Sequence, residues 1–368
     1  MGAQAGLHLD YLSLAEYQTA RWSEVLGVAT FDPAPLPACG STEIPVAQVA
    51  TPVLLGTADV REVWRCGGPA ESGQRNRVRF RRSESLLFGC IAVPEGSVPE
   101  APLPEAPLPE AEVPGAAPAA GAHGAVTRSA LHVATVGAYR EICATLEAVG
   151  YPHLLRIWNY LPDINLDSHG SERYRQFNSA RQAALREAGM PLAGNVPAAS
   201  AVGASRGSPL LVYFLAGRAA PLSIENPRQV SAYRYPRRYG RHTPVFSRAT
   251  LLRQRGSLTL FVSGTASIVG HRSLHVGDTA AQTRETLANI EALLEEANRV
   301  EHGARFTLGS LALKVYLRRP ADLPVIRAQL AAALDPRQPV IYLQADICRQ
   351  DLLVEIEATG MCPLKSDA

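Results

Sequence analysis

The chain has 368 residues, 46% hydrophobic and 19% charged, which is enough for two domains or one large domain with a substantial core. Thirty-six Lys plus Arg against 34 Asp plus Glu leave a formal charge of +2, so nothing global points to nucleic acid or an anionic membrane. No apolar run approaches the roughly 18 to 20 residues that span a bilayer, the first residues lack the pattern of a secretory signal, and the six cysteines show neither C-x-x-C nor zinc-type spacing to the histidines. The expectation is a cytoplasmic protein with no membrane partner, no nucleic-acid partner and no bound metal.

Residues 1–45 show no familiar pattern and are set apart as an N-terminal extension. LLFGCIAVPE (86–95) reads as a strand. It leads into VPEGSVPEAPLPEAPLPEAEVPGAAPAAGAHGA (93–125), whose EAPLP repeat blocks helix and sheet pairing and predicts a mobile, dispensable insert. A helix over 138–150 ending at Gly150 follows, then a strand over 153–165 running into Pro162, a helix over 171–189 and a strand-turn-strand over 209–227. The order then repeats: strand 258–270, helix 280–298, strand 311–324, helix 325–334 and a hairpin over 339–358. The fold class is α/β (α+β), two tandem β-α-β-α-β units at 46–240 and 241–368 with helices on one face of each sheet. Leu287, Ile290, Leu294 and Ala297 fall on one face of helix 280–298, and Asp278 or Thr279 is placed to cap it.

The stretch ICRQDLLVEIEATG (347–360) reads as the end of that hairpin, with a three-residue polar turn. Its last strand puts Val354 and Ile356 on one face and Glu355 and Glu357 on the other. If the helices cover the first face, the glutamates lie on the uncovered one, either as solvated charges or as the acids of a site. Glu357, nearer the strand end, has only a supporting or solvated role to recommend it.

Phosphate-cradling loops, dinucleotide fingerprints and a G-x-S-x-G elbow are absent from the sequence. The densest polar segment is IENPRQVSAYRYPRRYGRHTPVFSRA (224–249), with arginines interleaved by Tyr233, Tyr235 and Tyr239. Pro and Gly punctuation favours a rigid loop that fixes a small polyanion by bidentate Arg–carboxylate contacts, although a solvated basic loop fits the same composition. A carboxylic acid beneath it, shielded from water, keeps its proton near neutral pH. Protonating an enol ether carbon needs that arrangement.

VSGTASIVGHRSLHVGDTAAQTRETLANIEALLEEAN, KVYLRRPADLP and LLVEIEA resemble the trimeric reactive-intermediate deaminases (RidA/YjgF-like). Taken whole, with LLRIWNYLPDIN, ERYRQFN, ENPRQVSAYRYPRRYG, FSRA, SGTAS and ADICRQDLLVEIEA, the chain resembles the chorismatases, which duplicate that fold. The resemblance implies cleavage of the enolpyruvyl ether of chorismate without a metal or organic cofactor, with Glu355 as the proton donor. It also implies a product switch: Cys348 and Gly264 match the members that form 3-hydroxybenzoate (some relatives also make 4-hydroxybenzoate), whereas the members that hydrolyse to a dihydroxycyclohexadiene carboxylate carry Ala at both places. Arg318, Arg238, Arg241 and Arg248 are the expected clamps for the substrate carboxylates, with Tyr213, Tyr235 and Tyr239 beside them. Alternatives are the hydrolytic chorismatase, a RidA-like imine deaminase, or a metabolite-binding protein without catalysis. A monomer and a homo-oligomer, such as a trimer, both remain open.

Overall fold

The computed structural model describes residues 6–20, 22–31, 43–54, 60–97 and 128–364; most of the expected insert at 93–125 lies outside them. Among these residues a small first sheet comprises β1 (His8–Leu12), β2 (Val25–Thr30), β3 (Val46–Gln48) and β4 (Arg61–Arg65), with a short helix α1 (Leu14–Gln18) after β1. Its order is β1-β4-β2-β3, so the strand pairing of the N-terminal segment runs past residue 45. VLGVAT of β2 is buried throughout, which is why it lacks the alternation that betrays a half-exposed strand.

The next stretch contains β5 (Glu71–Arg75), β6 (Val78–Arg82), β7 (Leu86–Val93), α2 (Ala130–Val149), β8 (His153–Pro162), the two-residue strands β9 (Asp167–Ser168) and β10 (Ser171–Glu172), α3 (Arg173–Glu187), β11 (Ala198–Ala204) and β12 (Leu210–Gly217). After it come β13 (Leu222–Ile224), β14 (Ala249–Gln254), β15 (Ser257–Ala266), the short β16 (Ile268–Val269) and β17 (Arg272–Ser273), α4 (Thr279–Val300), β18 (Leu311–Leu317), α5 (Leu323–Ala331), β19 (Val340–Gln344) and β20 (Val354–Pro363). The two large sheets have orders β5-β6-β7-β12-β8-β11 and β13-β14-β15-β20-β18-β19. Read from matching ends they share one wiring, down to the parallel pair at one edge, β8 with β11 and β18 with β19. The tandem duplication expected from the sequence is therefore visible in strand order. The chain changes sheet between Gly217 and Leu222, ahead of the expected boundary at 240.

Both expected caps are present. Gly150 closes α2 in the left-handed region at φ 77°, and the Asp278 carboxylate accepts from the Ala281 N–H at 2.9 Å. Helix α2 starts at Ala130, not 138, because Ser129 caps it through the His132 N–H. The terminal hairpin is corrected. β19 pairs in parallel with β18, β20 pairs antiparallel with β18 and β15, and residues 345–353 between them form no strand. Alternation located β20 but could not choose its neighbours, and a parallel edge strand needs a connection longer than a tight turn.

Helices α2 and α3 cover the outer face of one large sheet, with Leu146, Phe177 and Leu185 against Ile157, Val212 and Phe214. On the other, α4 and α5 pack Leu287, Ile290 and Ile326 against Leu313, Val354 and Ile356. The remaining faces meet each other and the small first sheet in a core that joins Trp64, Trp158, Tyr213, Phe261 and Tyr316. The face left uncovered by the helices is thus an internal interface, and its polar residues are buried.

Candidate active site

Strand β20 places Glu355 opposite Tyr316 of β18 and Ala266 of β15, and Glu357 opposite Lys314. The β15–β20 register slips between Val262 and Thr265, a bulge of the kind that re-aims groups beside active sites. Gly264 sits in it. A Cβ built on Gly264 would lie 2.0 Å from Glu355 Oε1 and 3.1 Å from Ser200 Oγ, so the missing side chain is the space the carboxyl occupies. Glu355 is 3% exposed. Its carboxyl is pushed up to about 8, first by burial and then by the neighbouring Glu357, against the pull of Arg156 and Arg248.

Beside this carboxyl opens a cavity of about 320 Å³. Tyr235, Tyr239, Phe246 and Ile268 form its apolar wall, and Arg175, Arg248 and Arg349 bring the cations. Arg248, 4% exposed, donates to the Val230 carbonyl and the Tyr235 hydroxyl, both at 2.7 Å. The Arg349 guanidinium lies 4.1 Å from the Tyr239 ring centroid and donates to the His271 carbonyl at 3.0 Å and Ser273 Oγ at 3.1 Å. Among the described residues Arg248 Nε and Arg349 Nη2 are buried donors without a partner, a costly state for a charged group. Cys348, half-buried in the loop before β20, completes the wall beside Glu355. Its thiol is pushed up to about 12 by burial and by Glu355, which keeps it a neutral S–H near neutral pH.

The structure therefore gathers Glu355, Cys348, Gly264, Arg248, Tyr235 and Tyr239 around one cavity. Four other expected positions lie elsewhere. Arg318 staples the loop before β20, donating to the carbonyls of Ile347, Arg349 and Leu352 and pairing with Asp346 at 2.6 Å. Arg238 and Arg241 are exposed outside the cavity wall, Arg238 held to His271 Nδ1 at 2.7 Å. Tyr213 is fully buried between the sheets, its hydroxyl accepting from Lys314 at 3.0 Å and donating to Glu62 at 3.2 Å. Sequence reasoning passed over Tyr174, Arg175 and Arg349, although ERYRQFN and ADICRQD contain them.

Of the two roles open to Glu357, supporting or solvated, burial removes the solvated one. It is 4% exposed, and its carboxylate accepts from Arg156 at 2.8 Å, Trp158 at 2.7 Å and Ser200 at 2.6 Å, with Lys314 at 2.9 Å. These groups outweigh burial and hold it below the usual carboxylate range.

The comparisons with known proteins bear on this geometry. Residues 113–216 match the model of the chorismatase FkbO/Hyg5-like N-terminal domain. The chain is 39% identical to a chorismatase of Streptomyces rapamycinicus over 303 residues, 80% of each chain. The chain belongs to the chorismatase family. It is also 43% identical over 237 residues, 62% of this chain and 69% of the relative, to a 3-hydroxybenzoate synthase of Streptomyces hygroscopicus. A chorismatase crystal structure superposes with a TM-score of 0.79 at 31% identity, covering 97% of this chain and 98% of that one. No helix among the described residues is long and apolar enough to cross a membrane.

Proposed function

We propose that this chorismatase converts chorismate to 3-hydroxybenzoate and pyruvate, with Glu355 as the general acid. The observation that carries the reading is Glu355 itself: a buried carboxyl kept protonated to about pH 8, seated against Gly264 at a cavity with three arginines. The substrate is a dianion, and the guanidinium groups of Arg175, Arg248 and Arg349 on the cavity wall suit its carboxylates. Glu355 gives its proton to the methylene carbon, and the enol ether becomes an oxocarbenium ion. The C4 hydroxyl oxygen attacks ring C3 as the bond from C3 to the ether oxygen breaks, so pyruvate leaves with that oxygen as its ketone; the hydroxyl proton returns to the Glu355 carboxylate, and the 3,4-epoxide opens at its C4–O bond and aromatises to 3-hydroxybenzoate. The two products together hold the atoms of the substrate, so no water is consumed.

Two features favour the aromatic product over hydrolysis. Gly264 leaves the acid in its present rotamer, and the neutral Cys348 thiol fills wall space beside it without offering a charge to order water. The test is incubation of the purified protein with chorismate and chromatography of the products. Pyruvate with 3-hydroxybenzoate supports the reading, the dihydroxydiene in its place moves the chain to the hydrolytic group, and no pyruvate refutes the activity.

A further inference from the structure

Behind Glu355 the two large sheets and the small one share a chain of buried charges. Glu62 of β4 pairs with Lys314 of β18 at 2.6 Å, Lys314 with Glu357 of β20 at 2.9 Å, and Glu357 with Arg156 of β8 at 2.8 Å. None of the four is more than 4% exposed. Two anions and two cations balance, and Glu357 is ionised among four donors. Such clusters are weak contributors to stability, since well-packed apolar residues of equal volume often do as well. The position of this one is what matters. Glu357 stands two residues from the acid on the same strand face, and Ser200 links it to the acid's seat: Ser200 Oγ donates to Glu357 at 2.6 Å and accepts from Arg156 at 2.5 Å and from the Gly264 N–H at 3.0 Å.

We propose that Glu357 is a positioning residue, a fixed negative charge that keeps the Glu355 carboxyl in its proton-bearing form and, through Ser200, holds Gly264 against it. The inference rests on Glu355 being the general acid. The groups around Glu355 come from every packed element: Glu357 on its own strand, Tyr316 on β18, Arg156 on β8, Tyr174 and Arg181 on α3, Arg248 before β14, and Cys348 and Arg349 in the preceding loop. Tyr174, Tyr316 and Cys348 are neutral near pH 7, each raised by burial. Arg156 and Arg248 draw Glu355 toward ionisation, and Glu357 opposes them. Glu172 and Asp351 stand farther round the cavity wall.

The experiment compares the pH dependence of kcat/KM for chorismate in the wild-type chain, Glu357→Gln and Glu355→Gln. The wild type is expected to lose activity on the basic side as Glu355 ionises, near pH 8. In Glu357→Gln the basic limb is expected to move down by about one pH unit or more, a roughly tenfold loss above the limb, with the plateau at lower pH kept within about threefold. A structural role alone would lower the profile uniformly, and an unmoved limb overturns the proposal. Should Glu357→Gln fail to fold, Glu357→Gln with Lys314→Gln removes one charge of each sign and must move the limb in the same direction. Retained turnover in Glu355→Gln overturns the acid assignment, whereas an inactive Glu355→Gln beside an unshifted Glu357→Gln overturns only the positioning role.

Discussion

The two halves share their strand order, yet only one carries the proposed acid, Glu355. Register makes the comparison residue by residue. Leu211 of β12 lies opposite Tyr160 of β8, as Glu355 of β20 lies opposite Tyr316 of β18. Two residues on, Tyr213 lies opposite Trp158 and Glu357 opposite Lys314. The paired tyrosines meet across the interface, with hydroxyls 2.7 Å apart. The N-terminal half thus presents leucine and tyrosine where the C-terminal half presents two glutamates, and it supplies their surroundings instead: Arg156, Trp158 and Ser200 around Glu357, and α3 against the cavity. Duplication allowed one copy to hold the acid while the other became its environment.

The sharpest way to break this division is to remove the acid. Glu355→Gln is expected to lower pyruvate release by several orders of magnitude, since proton donation and charge stabilisation go together; near-normal turnover would sink the asymmetry between the halves. Next in size is the cation test. Arg349→Gln, which empties a guanidinium from the cavity wall, should cost about a hundredfold in kcat/KM, while Arg238→Ala on the exposed loop should change it less than about threefold. Equal effects would show that the loop, not the cavity, holds the carboxylates. The third prediction concerns product. Gly264→Ala with Cys348→Ala must turn the Glu355 carboxyl away from a Cβ that would otherwise stand 2.0 Å from it, and chromatography should show the dihydroxydiene rising at the expense of 3-hydroxybenzoate. An unchanged ratio refutes the switch. The smallest effect is in the half without the acid. Tyr213→Phe removes a buried hydroxyl shared by Lys314 and Glu62 and should cost about 2 kcal/mol in a denaturant titration, with KM unchanged. A raised KM would return Tyr213 to the substrate.

Much of this was legible in the sequence because it is local. Helical spacing with Asp278 before it marked α4, Gly150 marked the end of α2, and alternation put Glu355 and Glu357 on one face. What escaped was non-local. Alternation is silent on which strands flank β20, so it does not separate the loop over 345–353 from a hairpin arm. Tyr213 sits in LLVYFLAG, buried on both faces, where period gives no direction. Among many arginines, exposure separates Arg248 from Arg238 and Arg241, and exposure follows from packing. The sequence leaves Glu357 between a supporting and a solvated role because Arg156 and Trp158, which bury it, come from the other half, 201 and 199 residues away.

That separation has a kinetic consequence. Contacts between residues so distant along the chain close large loops and form after the local helices and hairpins. In refolding from denaturant, helical signal should return first, and turnover only when Arg156 and Ser200 have reached Glu357. Enzymatic activity is therefore a clock for the docking of one sheet on the other, and a chain with both sheets formed but undocked would be well structured and inert.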